Sequence, residues 1–399
     1  MSTELSESCR PADVDRAATA WGDLGGATFL NFAGHAAMPR MAVAAACASA
    51  ALKGRPVSGD AAGFFDASER VRSSLAQLLG ARAGDIALTT GAGTGAAIVA
   101  LGLAWRPGDE VLVVEGDFPV HWATWAPMEA REGLKVKAVR REGDVVDDVL
   151  QALGPKTRLV SISHVGFDDG ALLDAGRLCA ECRRRGVLVL LDASQSCGAV
   201  PLSVQALGAD FIVGVGYKYL LGPWGLGFLW ASPERWAAMR PAPWNWLSQD
   251  VRMFSELNYS SPAASVEAKR WDAAQMTGPY NINLAAFAAS LDQVVAWGAE
   301  EVLAHGHRLI ERLFSGLPAV CRATSPRRAA ERGSFGCFAA ADDAGTDDLY
   351  AALRRERIIV GRRGSAIRVA PHLLNDAADI DRLLAVANDW ARASHGTSP

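Results

Sequence analysis

The sequence predicts an α/β protein, with a large unit on a mostly parallel sheet sandwiched by helices and a small α+β unit. Three observations predict it. Short apolar runs of strand length alternate with helix-length amphipathic segments through the first two thirds of the 399 residues. Turn signals separate them, such as Arg106-Pro107-Gly108-Asp109 and the Gly186 that closes a helix-like run. The residues with chemical potential fall at the carboxyl ends of the strand-like runs, where ligands gather in open α/β sheets.

Residues 85–89 read as a strand and 94–104 as a helix. Strands follow at 110–114, 134–139 and 158–163, then a helix at 175–185. Further strands are expected at 187–191, 210–213 and 227–230. Residues 240–265 are rich in Trp, Pro, Asn and Ser without a period and read as a long irregular excursion. Helices are expected at 282–298 and 300–314. The end alternates strand (333–339), helix (347–356), strands (358–360 and 366–369) and helix (378–390). This divides the chain into a large unit, 30–275, and a small one made of 1–29 and 276–399.

The composition is that of a soluble globular protein: 50% hydrophobic, 21% charged, net charge −4. No basic run points to nucleic acid. No apolar run approaches the roughly 18 residues of a membrane helix. The start, Met1-Ser2-Thr3-Glu4-Leu5-Ser6-Glu7, lacks the basic-then-apolar pattern of a secretory signal. The seven cysteines are odd in number and scattered. Cys179 and Cys182 form a C-x-x-C inside an amphipathic helical pattern with no second ligand pair, which argues against zinc. A cytoplasmic location with reduced thiols is the expectation.

The chemistry concentrates in Gly214-Val215-Gly216-Tyr217-Lys218-Tyr219-Leu220-Leu221-Gly222. A lone lysine sits in a glycine-flanked turn after an apolar strand, as an amine must to condense with an aldehyde. Asp192 ends an earlier buried strand, one strand–crossover–strand step upstream. An acid able to pair with a pyridine nitrogen, followed by a Schiff-base lysine, is what pyridoxal 5'-phosphate requires. Gly91-Ala92-Gly93-Thr94-Gly95 follows a strand and opens a helix. The N–H groups of Ala92 and Gly93, with the Thr94 hydroxyl, form a candidate phosphate cradle.

At Asp192-Ala193-Ser194-Gln195 and Gly216-Tyr217-Lys218-Tyr219-Leu220 the chain resembles the class V aminotransferases. These are fold-type-I pyridoxal phosphate enzymes that include cysteine desulfurases, kynureninases and isopenicillin N epimerase-like proteins. The resemblance runs from about residue 29 to 381. It implies Lys218 as Schiff-base lysine and, once freed, as base at Cα, with Asp192 on the pyridine nitrogen. It implies Phe118 as ring stacker, Gln195 on the ring hydroxyl, His164 beneath the cofactor and Tyr217 on the phosphate. Thr277 would reach the phosphate from a partner subunit, which implies a homodimer. Arg368 would clamp the substrate carboxylate, and Asn31, Gly34 and His35 would fold over the substrate side. His121, Trp122 and Trp125 would line the same region. Phe167 stands where many relatives carry an asparagine.

The desulfurases of this family carry a catalytic cysteine shortly before the carboxylate arginine, and Gly361-Arg362-Arg363-Gly364-Ser365 has none. Cys337 falls in an apolar strand too early in the chain. The expectation is therefore a pyridoxal phosphate enzyme on an α-amino acid, first a carbon–sulfur β-lyase, but not a persulfide-forming cysteine desulfurase. Transamination, epimerisation and decarboxylation are the alternatives. A non-catalytic binding protein on the same fold is a further alternative, opposed by the presence of both Lys218 and Asp192.

Overall fold

The computed structural model describes residues 20–55, 63–240, 248–249, 256, 260, 265–273, 276 and 280–395. Thr277 and nearly all of the 240–265 excursion, including Trp244-Asn245-Trp246, lie outside the described residues.

In chain order the strands are β1 (Thr28–Phe29), β2 (Ile86–Thr89), β3 (Glu110–Val114), β4 (Lys135–Val139), β5 (Thr157–Ser163), β6 (Leu188–Asp192) and β7 (Phe211–Val215). There follow β8 (Gly227–Ala231), β9 (Arg322–Ala323), β10 (Gly336–Ala339), β11 (Ile358–Ile359), β12 (Gly361–Arg363) and β13 (Ala366–Val369). Seven of them form one sheet in the order β2-β8-β7-β6-β5-β3-β4. Its pairs are parallel except at β8, which runs antiparallel to both β2 and β7.

Both faces of this sheet are apolar, so its strands read as continuous hydrophobic runs. Leu112, Val160, Ile162, Val189, Leu191 and Ile212 enter one core. Val111, Val113, Leu159, Leu188, Leu190 and Phe211 enter the other. The period of two along each strand decides the face. A third core lies around Phe338, Ile367 and Val369 and the helices Ala299–Gly316, Asp343–Arg355 and Ala377–His395. Here an antiparallel sheet runs in the order β12-β13-β10-β9. Beside it, β1 pairs with β11, and Asn31 bridges to Ala370 just past β13.

Two elements differ from expectation. The helix expected at 94–104 spans Ala92–Gly102, so the glycine-rich segment is its first turn rather than a loop before it. The glycines permit close packing, since a Cβ on Gly95 would lie 2.8 Å from Val213 on the sheet. Residues 361–363, which fall between the strands expected at 358–360 and 366–369, form β12 and hairpin onto β13. Their Gly-Arg-Arg composition gives no strand signal; the pairing with apolar β13 makes the strand. Among the described residues no helix is long and apolar enough to cross a membrane.

Candidate active site

The carboxyl ends of the parallel strands bring the candidate residues together. Asp192 ends β6, in register with Ser163 on β5 and Val213 on β7. It is buried, and its Oδ1 accepts the Ser194 N–H at 2.8 Å. His164, just past β5, donates its backbone N–H to the Asp192 carbonyl at 2.9 Å. Its Nδ1 lies 3.0 Å from Ser196 Oγ. Burial pushes the His164 pKa down to about 4, so the ring is neutral near pH 7.

β7 runs into the turn that carries Lys218. Gly222 N–H donates to the Gly216 carbonyl at 2.8 Å and closes the turn. A Cβ on Gly222 would lie 2.4 Å from Phe287, so only glycine lets the turn sit against that ring. Leu221 takes φ 57°, a costly conformation for a branched aliphatic residue. Its side chain is fully buried, and Ser290 Oγ donates to its carbonyl at 2.8 Å. This strained turn holds the lysine inward, with Lys218 only 6% exposed. Among the described residues the Lys218 amine makes no hydrogen bond or ion pair, and it lies 5.3 Å from the Phe118 ring centre. Burial lowers its pKa to about 8; Asp192 pulls it up, and Arg368 and Arg363 pull it down.

The helix Ala92–Gly102 has Gly91 as N-cap and no side-chain cap. The N–H groups of its first turn therefore lack intrahelical acceptors and face outward with the positive end of the helix dipole. Thr90 and Thr94 hydroxyls lie 2.6 Å apart at this opening. Tyr217 stacks on Trp224 with ring centres 3.6 Å apart.

Phe118 precedes the helix Pro119–Glu132. Asp117 accepts from the Phe118 N–H at 2.6 Å, the Ser163 N–H at 2.9 Å and Ser163 Oγ at 2.6 Å, tying the ring's backbone to the end of β5. Phe118 meets Phe167 edge-on at 5.3 Å. The Phe167 carbonyl in turn accepts from Arg368 Nη1 at 2.8 Å. The position that departs from the asparagine of many relatives thus serves through its ring and its carbonyl. Arg368 is 1% exposed, and burial lowers its pKa to about 10, with Arg363 adding to the effect. A Cβ placed on Gly361 would lie 3.2 Å from Asn31 Oδ1 and 3.4 Å from Arg368 Nε, so the two side chains meet over this glycine.

Gln195 donates from Nε2 to the Ala33 carbonyl at 3.1 Å. His35 is exposed and meets the Phe29 ring at 5.8 Å; no described contact joins it to Lys218 or Asp192. His121 is buried, with Nδ1 2.8 Å from Ser161 Oγ and Nε2 3.2 Å from Ser163 Oγ. Trp122 is half exposed. Trp125 does not line the site: it is fully buried in a sheet core, edge-on to Trp105 at 5.8 Å. It stands one turn past His121 and one turn before Met128, on the stripe of the helix that is buried.

The buried polar atoms that have no partner among the described residues test what this site fits. They include Ser194 Oγ, Gln195 Oε1, Asn31 Oδ1 and Arg368 Nε and Nη2. Leaving such atoms unpaired is costly, and here they cluster with an unpaired lysine amine and a buried carboxylate. The donor set fits pyridoxal phosphate: an amine for an aldehyde, a carboxylate for a pyridine nitrogen, a helix start for a phosphate and an arginine fork for a carboxylate. Sequence reasoning gave no role to Ser194, to Asp117 or to the Phe167 carbonyl. Ser194 and Asp117 sit inside the motifs singled out; a backbone carbonyl leaves no sequence signal.

Residues 33–383 match the family Aminotransferase class-V. Isopenicillin N epimerase of Amycolatopsis lactamdurans is 35% identical over 185 residues, covering 44% of this chain and 46% of that protein. The match thus spans about half the length of that curated relative. A probable cysteine desulfurase of Mycolicibacterium paratuberculosis is 30% identical over 262 residues, 63% of this chain and 36% of that protein. The solved complex of the cystine C–S lyase C-DES with its product cysteine persulfide aligns with a TM-score of 0.82 and 27% identity, covering 92% of this chain and 98% of that one. These relatives overturn the exclusion of persulfide-forming desulfurase chemistry. That exclusion rested on the missing cysteine in 361–365, yet in C-DES the persulfide is a product, cysteine persulfide, so the lack of that cysteine excludes nothing. The match over 33–383, the fold and the fit of the donor set together place the chain in the class V aminotransferase family of pyridoxal phosphate enzymes.

Proposed function

We propose that this chain cleaves a carbon–sulfur bond in a cystine-type amino acid, with a persulfide among its products. The observation that carries it is the buried, unpaired Lys218 amine beside Asp192 and Arg368, in a fold shared with a cystine C–S lyase. Pyridoxal phosphate, when bound, supplies an aldehyde for amines and a ring that withdraws electrons from Cα. In this reading Lys218 anchors it, and Asp192 keeps the ring nitrogen protonated. Ser194 and Gln195 would offer their unpaired oxygens to it, and Phe118 and His164 would pack against its ring. Ala92, Gly93, Thr94 and Tyr217 hold the phosphate.

Arg368 orients the substrate through Nε and Nη2, a planar fork that matches a carboxylate. Asn31 adds an acceptor beside it, and His35 is assigned to the substrate side. With a pKa near 8, the freed Lys218 amine is poised to take the Cα proton at neutral pH. For cystine the balance is complete without an oxidant. The Cα–H and Cβ–S bonds break, a Cα=Cβ bond forms, and sulfur leaves with the bonding pair as cysteine persulfide. The remaining 2-aminoacrylate takes up water to give pyruvate and ammonium.

A homodimer is part of this reading, supported by exposed apolar side chains on the helix Arg40–Lys53, Met41, Val43 and Leu52. The division into units 30–275 and 1–29 with 276–399 is also part of it, supported for residues 309–390 by the third core. A cytoplasmic location accords with the free cysteines among the described residues. The test is to incubate holoenzyme with cystine and identify products by mass. Pyruvate and cysteine persulfide in equal amounts support the reading. An inverted amino acid, or a keto acid that retains the sulfur, overturns it. Light scattering that gives a monomer overturns the dimer.

A further inference from the structure

The β12–β13 hairpin presents two arginines to the same side. Gly361 pairs with Arg368, and Arg363 pairs with Ala366. Side chains alternate along a strand, so 361 and 363 share a face with 366 and 368. The neighbours identify that face. Ala366 and Ala370 pack in the core of the large sheet, whereas Ile367 and Val369 pack in the third core. Arg363 therefore projects from the hairpin on the Arg368 side, toward the site that holds Lys218. As diagonal neighbours the two residues lie about 7–8 Å apart.

Arg362, on the opposite face of the same strand, has acids to meet it. Its Nε donates to Asp347 at 2.8 Å, and Asp343 lies at 4.0 Å. Arg363 has none: among the described residues its only hydrogen bond is from Nη1 to the Arg362 carbonyl at 2.8 Å. Two like charges on one face, half-buried and nearly fully buried, without an anion between them, form an incomplete arrangement. The Arg363 charge is also felt at both Lys218 and Arg368, lowering the pKa of each. One carboxylate on Arg368 leaves Arg363 unmatched.

We propose that Arg363 is a specificity-determining residue that binds a second carboxylate at the far end of the substrate, selecting disulfide-linked diacids of cystine's kind. The geometry fits such a molecule. Cα atoms joined through a disulfide lie about 5.5–6 Å apart, and carboxylates beyond them span the diagonal between the two guanidinium groups. The inference rests on the proposed carbon–sulfur chemistry for its reactive substrate, and its binding arm is independent of that chemistry.

The test compares cystine with the mixed disulfide of cysteine and cysteamine, which lacks the distal carboxylate. Wild-type holoenzyme should favour cystine in kcat/KM by about tenfold or more, the worth of one charge-assisted hydrogen bond. Arg363→Gln should collapse that ratio toward unity, and Arg362→Gln should preserve it. A binding arm uses the cystine analogue with two methylenes in place of the sulfurs, read by the cofactor's absorbance. Its Kd should rise about tenfold in Arg363→Gln. Equal kcat/KM for the two disulfides in the wild type, or an unchanged ratio and Kd in Arg363→Gln, overturns the proposal. Should that variant fail to fold, the wild-type ratio decides. Analogue binding that depends on Arg363, without cleavage of either disulfide, would sink the carbon–sulfur reading and leave the second-carboxylate site standing.

Discussion

Arg72 and Arg368 are both buried arginines, 4% and 1% exposed, in opposite surroundings. Arg72, on the helix Asp66–Leu79, spends its donors on the protein. Nη1 reaches the Ile86 carbonyl at 2.9 Å and Asp272 Oδ1 at 3.0 Å, Nη2 reaches Asp272 Oδ2, and Nε reaches Glu69 at 3.3 Å. Asp272 also accepts the Leu88 N–H at 2.8 Å, so the pair fastens the helix to β2 at the edge of the large sheet. Among the described residues Arg368 makes one hydrogen bond, to the Phe167 carbonyl, and leaves Nε and Nη2 unpaired. Burial lowers the pKa of both. At Arg72 the carboxylates of Asp272 and Glu69 outweigh it, whereas Arg368 falls to about 10. A buried charge with all its donors used holds the fold together. A buried charge with donors left over is a destabilising feature unless a ligand completes it.

The same contrast makes Lys218 the residue whose loss should cost most activity and least stability. Lys218→Ala should lower turnover by about 10²–10⁴-fold from the missing proton acceptor alone, and further through the lost anchor. The apo protein should keep or raise its urea midpoint, because an unpaired buried amine is removed. Borohydride reduction of the wild-type holoenzyme followed by peptide mapping should fix the cofactor on Lys218; a label on Lys269 would overturn the assignment.

The arginines test the comparison directly. Arg72→Met should cost about 3–5 kcal/mol of stability, since Asp272 is left buried without its counter-ion. Arg368→Met should leave apo stability level or higher and lower kcat/KM by about 30-fold or more, from the loss of about 2–5 kcal/mol of charge-assisted binding. Urea midpoints and steady-state kinetics on both variants decide. Two equal losses of stability would erase the distinction between a structural and a ligand-directed buried arginine.

What the sequence made legible follows the same division. The strand runs at 110–114, 188–191 and 210–213 announced the sheet because both its faces are apolar and need no partner to be read. Asp192 and Lys218 announced the cofactor because strand ends and glycine-flanked turns are local features. Arg72–Asp272 stayed hidden because it joins residues 200 positions apart. The β12 hairpin stayed hidden because its pairing is tertiary. The role of the Phe167 carbonyl and the buried position of Trp125 depend on which way a chain faces, and composition around them does not say.

The smallest effect comes from a residue that leaves polar atoms unpaired outside the cluster. His372 is 1% exposed, stacked on Phe32 at 4.9 Å, with Trp21 at 5.6 Å, Trp297 at 5.7 Å and Tyr219 at 6.3 Å, and neither ring nitrogen has a partner among the described residues. Burial lowers its pKa to about 3, with a smaller push from His305. The folded pKa lies below the unfolded value of about 6.5, so between those two pH values the unfolded chain holds a proton that the folded chain does not. Stability is therefore lost as pH falls from 6.5 toward 3, by on the order of 1.4 kcal/mol per pH unit from this residue. His164 acts in the same direction down to about pH 4. His372→Phe should change the apo urea midpoint little at pH 7.5, where replacing an unpaired polar ring by an apolar one is close to neutral. At pH 5 it should be more stable than the wild type, with the remaining acid loss due to His164 and the carboxylates. A variant as acid-sensitive as the wild type, or one clearly destabilised at pH 7.5, would mean that a ring nitrogen of His372 has a partner, and that this residue belongs with Arg72 rather than with Arg368.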